Sequence, residues 1–242
     1  MATHIMLVVA VTAIIQSMFG AGILLFGTPL LLLFGYEFVD ILIVLLPISL
    51  AINLLQIIQH HAHIDFVFYR KIVLLTLPPI AVFLFLVTHL RINIGLIIGP
   101  FLLLIALKEI STTIARIIDR MMQHETIYFI VMGVVHGLSN LGGSLLTAIV
   151  HHKNYEKDVA RVTVAASYGT FAVVQLLTLW LFSQQQIDVP VYDNMIYLTV
   201  GVIIFLLTDA MFYAQIDRDK YRRIFAVFLA ISGLVLILKS LS

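Results

Sequence analysis

Two glycine-centred clusters hold the residues best placed to do chemistry, each in the middle of a long uncharged stretch. The first reads Phe19-Gly20-Ala21-Gly22-Ile23, the second Ser139-Asn140-Leu141-Gly142-Gly143-Ser144. Glycines at the middle of a lipid-spanning segment permit either tight helix packing or a broken helix whose freed backbone groups line a buried polar space. A half-helix starting at such a break points free N–H groups and a partial positive charge inward, which suits an anion without needing a cation. Gly20, Ala21, Gly22, Gly142, Gly143 and Ser144 are therefore candidate backbone donors to a substrate. Ser49, Asn53, Gln56 and His60 recur at helical spacing as one polar stripe, and Thr163, Ser167, Thr170 and Thr178 run beside Tyr168 and Gln175. Hydroxyls of this kind often only bond neighbouring helices together. An amide is more telling, because burying one without a partner costs roughly 2–7 kcal/mol. Asn53, Gln56, Ser139, Asn140 and Gln175 are the candidate side-chain contacts.

Titratable groups are few. His136 stands just before the second cluster, where it either couples a proton or packs as a neutral ring. No Lys or Arg falls deep within any uncharged stretch, so a bound anion is expected to rest on amides, hydroxyls and helix dipoles. Asp209 is read as a snorkelling or helix-ending residue in preference to a proton relay. His60, His61, His63, His151 and His152 gather at segment ends, and that placement suggests interfacial residues; no metal is expected. There is no cysteine and hence no thiolate chemistry. No cofactor and no ATP-binding motif is indicated. The Pro78-Pro79 pair is expected to kink its helix.

The elements that must position these residues follow from composition. Of 242 residues, 62% are hydrophobic and only 11% are charged, with a formal net charge of +1. Mean hydropathy is +1.10. A soluble globule cannot cover that much apolar surface, and the balanced charge suggests no nucleic-acid partner. The partner is the lipid bilayer, and the fold class is all-α, a polytopic membrane protein. Stretches free of Asp, Glu, Lys and Arg cover 1–36, 41–64, 72–90, 92–107, 126–152, 162–187, 194–208 and 224–238. A crossing helix needs about 20 apolar residues, and these give eight hydrophobic segments, the shorter ones helped by flanking charges. The first lacks the basic start of a cleaved leader. Residues 108–125 form the longest polar link; Ile110, Ile114, Ile117, Ile118 and Met121 within it predict an amphipathic cytoplasmic surface helix. The chain divides into a first transmembrane repeat over 1–107, this linker, and a second repeat over 126–242.

The halves resemble each other in order and spacing. Each glycine cluster is followed by a Tyr-Glu pair, Tyr36-Glu37 and Tyr155-Glu156, and each pair by a glutamine at the same distance, Gln56 and Gln175. A single helix over 5–35 would be about 46 Å long, against a core of about 30 Å. If all eight segments crossed, Lys and Arg would be spread nearly evenly over the two sides, against the positive-inside bias. If the segment carrying Gly142 and Gly143 turns back at the midplane, only Arg91 and Lys239 of the 14 basic residues lie on the minor side. With the first segment also re-entrant, each half has three crossings, and the second half is inverted relative to the first. Two inverted-topology repeats of four hydrophobic segments each, the first of each glycine-broken or re-entrant, are the build of many secondary transporters. Both termini are then extracytoplasmic.

The stretch SMFGAGILLFGTPLLLLFGY, with its glycine-rich break and later proline, resembles the signature of the sulfite exporter TauE/SafE family, also called the toluene sulfonate uptake permease family. GVVHGLSNLGGSLLTAIV, which opens the second half, resembles its second copy. Ala21 interrupts the first glycine run, and Ser144 follows the second directly where the family often has proline. The resemblance spans essentially the whole chain. It implies transport of small sulfur-containing anions such as sulfite, organosulfonates or related organic anions, across the bacterial plasma membrane.

The expectation is thus a multi-pass secondary transporter, an exporter of a small anionic substrate by alternating access, with a homo-oligomer left open. Alternatives are an anion channel, a noncatalytic membrane subunit, and an intramembrane enzyme. The enzyme would need a nucleophile–base pair. Ser139 and His136, on adjacent turns, are the local candidate, and no hydrolase pattern surrounds them.

Overall fold

The computed structural model describes residues 2–20, 22–90, 93–183, 189–212 and 218–241. They are helical almost throughout: α1 Thr3–Phe19, α2 Ile23–Leu33, α3 Phe38–His60, a 3-10 turn at His61–His63, α4 Phe66–His89, α5 Ile94–Ile110, α6 Thr112–Gln123, α7 Glu125–Ser139, α8 Gly143–His152, α9 Lys157–Phe182, α10 Val191–Phe212 and α11 Arg218–Leu241. The first and fifth hydrophobic segments are each broken at their glycine clusters, into α1–α2 and α7–α8.

Both breaks are hairpins. Gly20 ends α1 at φ +76° and Asn140 ends α7 at φ +63°, each amide donating to the carbonyl four residues back, Gln16 and His136, at 2.8 Å. Asparagine is one of the few side chains that tolerates this left-handed conformation. Beyond the break the chain folds back on itself. A Cβ built on Gly22 falls 2.9 Å from the Thr12 carbonyl, and one on Gly142 falls 2.9 Å from the Met132 carbonyl. The mouths confirm the reversal. His4 near the start of α1 stacks on Phe34 just past α2, with ring centroids 4.8 Å apart. Glu125 at the start of α7 pairs with Lys153 just past α8, and with Lys71 of α4.

The two mouths lie at opposite ends of the bundle. At one end, the α1–α2 mouth is joined by Tyr197, whose hydroxyl accepts from the Ala2 amide, and by Lys239, which donates to the Leu33 carbonyl. At the other, Asp65 accepts from the Tyr155 hydroxyl at 2.6 Å and from the Phe68 amide at 2.9 Å. The Phe68 amide foremost, and the Tyr155 hydroxyl after it, hold the Asp65 carboxyl below the usual carboxylate range. Helix α3, 23 residues and about 34 Å long, connects the two ends.

Small residues set the close crossings. Gly133 and Gly137 of α7 lie on the backbone of α4 at Thr76 and Ile80, and Gly99 of α5 meets Gly233 of α11 backbone to backbone. Such approach gains dispersion and, in lipid, substitutes for a hydrophobic driving force. Helix α4 runs continuously through Pro78 and Pro79. Helix α10 packs on α1 as α4 packs on α7, while α3 packs on α9, α5 on α11 and α2 on α8.

Among the described residues, four helices are long and apolar enough to cross a membrane, α3, α4, α9 and α10; a fifth span is reached when α5 is taken together with α6. That is fewer than the six crossings expected. Helix α5 has 17 residues and so reaches only about 26 Å, and α11 is apolar over Ala226–Leu241. Helix α6 turns from α5 by 101°. It buries Ile118 and Met122 while exposing Arg116, Asp119 and Arg120, as an amphipathic surface helix does.

Candidate functional site

Each break is enclosed by its own polar network, and the two differ in how they are satisfied. At the first, Gln16 of α1 reaches over the turn. Its Oε1 accepts from the Gly22 amide at 3.1 Å and the Ile23 amide at 2.9 Å, so the side chain caps the start of α2. Its Nε2 donates to Asn53 Oδ1 at 3.3 Å, and Asn53 donates to Ser49 Oγ at 3.1 Å. With its amide oriented to suit its neighbours, Gln56 also donates to Asn53 Oδ1 and accepts from Arg161 Nε at 3.0 Å and Nη2 at 3.1 Å. Gln16, Ser49, Asn53 and Gln56 are all buried. The polar stripe of α3 thus faces inward, as its spacing predicts.

Arg161 corrects one expectation. It lies one turn inside α9, 6% exposed, with its stem against Gly20. A buried cation therefore stands at the first break, where only neutral groups were expected. Its guanidinium pairs with Asp209 of α10. Asp209 is thus the counter-ion of a buried arginine and not a snorkelling helix end. Burying either charge alone would be costly, which is why the two come together.

At the second break, His136 occupies the place that Gln16 holds in the first. Gly142 sits against its Cβ and Cγ, as Gly22 sits against the backbone of Gln16. His136 does not cap the following helix. Its Nε2 pairs with Gln175 Oε1 at 3.1 Å, Gln175 Nε2 donates to Asn140 Oδ1 at 3.3 Å, and Asn140 Nδ2 donates to Thr28 Oγ1 of α2 at 3.0 Å. That last bond joins the tip of one hairpin to the flank of the other. Tyr168 of α9 lies directly on Gly143, its hydroxyl 0.9 Å from where a Cβ would stand. His136 Nδ1 and the Tyr168 hydroxyl are buried and have no hydrogen-bond partner among the described residues.

The candidate residues thus fall into two groups. Gly20, Gly22, Asn53 and Gln56 gather at the first break; Ser139, Asn140, Gly142, Gly143, Ser144 and Gln175 gather with His136 at the second. Ala21 lies outside the described residues. Several candidate donors are already engaged: the Gly20 amide by the Gln16 carbonyl, the Gly22 amide by the Gln16 side chain, and the Ser144 amide by the Leu141 carbonyl at 3.2 Å. The Ser139 hydroxyl donates to the Val135 carbonyl at 2.6 Å and accepts from the Leu141 amide, so it does not bond His136. Gln16, Thr28, Arg161 and Tyr168 complete the networks without standing among the sequence candidates. Gln16 could have been found from its match to His136 at the same position before each glycine break. Residues His60, His61, His63 and His152 lie at the bundle end that holds Asp65, and among the described residues no group of three or more His, Asp or Glu could hold a metal ion.

Residues 5–236 match the family model described as Sulfite exporter TauE/SafE. No curated protein and no solved structure matches the chain.

Proposed function

The chain belongs to the TauE/SafE sulfite exporter family, and on that premise we propose that it is a secondary transporter that exports small anions by alternating access. The family is one of membrane transporters, and the apolar helices make this a multi-pass membrane protein of that kind. Sulfite, organosulfonates and related organic anions are the substrate class. The observation that carries the reading is the pair of helix breaks, each buried and ringed by amides, held together through Asn140 and Thr28. Free N–H groups at broken helix ends are suited to anionic groups.

Two hairpins that open at opposite ends support two inverted-topology repeats, 1–107 and 126–242, joined by the surface linker 108–125. The helix pairings favour the same symmetry. Exchanging the repeats turns the α4–α7 contact into α10–α1 and leaves α3–α9, α5–α11 and α2–α8 in place. Transport is then a rocking of one repeat against the other. Arg70, Lys71, Lys108, Lys153 and Lys157 stand at or beside the helix ends around the α7–α8 mouth, which favours that end as the cytoplasmic face of the bacterial plasma membrane. Tags placed at the N- and C-termini should both report the extracytoplasmic face; a cytoplasmic C-terminus would contradict the arrangement.

The central test is sulfite flux from proteoliposomes. Gln56→Leu and Gln175→Leu each remove one amide from one break. Each is expected to lower flux at least about fivefold, since a buried group left without its partner costs about 1–3 kcal/mol. Wild-type rates in both variants would exclude the site. Saturable flux with counterflow is expected of a carrier, and its absence would favour an anion channel.

A further inference from the structure

We propose that the substrate is seated at the second break alone, and that it is taken as a hydrogen-bearing oxyanion whose O–H donates to His136 Nδ1 while its oxygens accept from the Tyr168 hydroxyl and the first amides of α8. This rests on the transporter reading above and narrows its site and substrate.

The argument begins with the asymmetry between the copies. In the first, Gln16 Oε1 occupies the amides of Gly22 and Ile23. The protein thus supplies its own acceptor to that helix start. In the second, the amides in the same places belong to Gly142 and Gly143, and no described residue accepts from them. Helix α8 has 10 residues, enough to present a real N-terminal field. Two buried side-chain atoms without partners face this start: His136 Nδ1, on the ring against Gly142, and the Tyr168 hydroxyl, against Gly143. The rings of His136 and Tyr168 are 5.9 Å apart, nearly perpendicular. Buried polar atoms normally find partners, so two orphans at one helix start point to something that binds there.

With the Gln175 and Asn140 amides oriented as they are, the hydrogen-bond chain sets what that something offers. Gln175 Nε2 donates to Asn140 Oδ1, and Asn140 Nδ2 donates to Thr28. Gln175 therefore presents its oxygen to His136, and His136 Nε2 carries the proton. In a neutral imidazole the other nitrogen is then a bare acceptor. Nothing described around the ring would charge it. Tyr168 on α9 is the titratable group in contact; α4 presents Thr76, Pro79, Ile80 and Phe83 across Gly133 and Gly137, and α8 presents Gly142. The second break therefore combines one acceptor with several donors. A fully ionised oxyanion cannot use the acceptor and would meet its lone pair. A monoanion that keeps one O–H satisfies both.

The experiment measures binding of sulfite and of methanesulfonate to purified protein in mildly acidic buffer, where sulfite carries a hydrogen. Methanesulfonate has the same charge and three oxygens but no O–H. Wild type is expected to bind sulfite at least about tenfold more tightly. Tyr168→Phe deletes one orphan hydroxyl; it should leave the melting temperature unchanged or raised, and weaken sulfite about tenfold. His136→Gln copies Gln16, so its side chain should cap Gly142 and Gly143 from within, keep the fold and abolish the preference for sulfite. Equal binding of the two anions by wild type would overturn the hydrogen-bearing substrate. Wild-type sulfite affinity and flux in both folded variants would overturn the seat while leaving the transporter reading intact. A wild-type protein that moves no small anion at all would overturn both.

Discussion

Asp209→Leu is expected to destabilise the protein by about 3–5 kcal/mol, while the double variant Arg161→Leu with Asp209→Leu should lose far less. The Asp209 side chain is 15% exposed and the Arg161 side chain 4%. Removing Asp209 takes away the carboxylate that the buried guanidinium pairs with, beside Gln56 and the Gly20 turn. The large cost of breaking a buried pair is mainly an uncompensated charge, and replacing both partners with apolar groups of similar size is often neutral. Denaturant titration of the two single variants and the double, read as a double-mutant cycle, isolates the coupling. A cost below about 1 kcal/mol for Asp209→Leu would mean that the pair is solvated and that Arg161 is no buried cation.

Gly22→Ala should be more damaging than its size suggests. The added methyl would lie 2.6 Å from the Gln16 amide nitrogen and 2.9 Å from the Thr12 carbonyl, all backbone atoms that cannot rotate away. The first hairpin must splay, and Gln16 then loses its grip on Gly22 and Ile23. Overpacking of this kind costs about 1–3 kcal/mol or more, and flux should fall with the geometry of the break. Gly169→Ala is the control. Its Cβ would meet Asn53 at 3.7 Å, an ordinary contact, inside a helix where alanine is favoured over glycine by about 1 kcal/mol. Thermal unfolding and flux assays on the pair should show one impaired protein and one as stable as wild type or more so. Similar behaviour of the two would mean that the α1–α2 turn is looser than its contacts require.

How much of this was legible in the sequence follows from what each feature depends on. The helix breaks depend on local chemistry. Gly20 and Asn140 end helices by adopting a left-handed backbone, and a glycine cluster in an apolar stretch announces that. The inward stripe Ser49, Asn53 and Gln56 depends only on helical spacing, and Gln175 on its place in the repeat. Arg161 was not legible. It follows Lys157 and Asp158, so its charge reads as part of a solvated helix start. Its burial is decided by a hairpin tip and by Asp209, 48 residues further on. The short span of α5 was legible. The uncharged stretch 92–107 is itself too short to cross unaided, and α5, with 17 residues, hardly exceeds it before the chain turns into α6.

The bond from Asn140 to Thr28 has an electrical consequence. Asn140 and Thr28 are fully buried, as are Gln16, Asn53, Gln56, His136 and Gln175 around them, so the link lies inside the part of the protein closed to water. A membrane potential falls across the water-free layer, at about 2.3 kcal/mol per unit charge for each 100 mV. An anion that passes the Asn140–Thr28 link would therefore do, at that step, only the share of this work that matches its advance through the closed layer, and the rest is done on the paths from the two mouths.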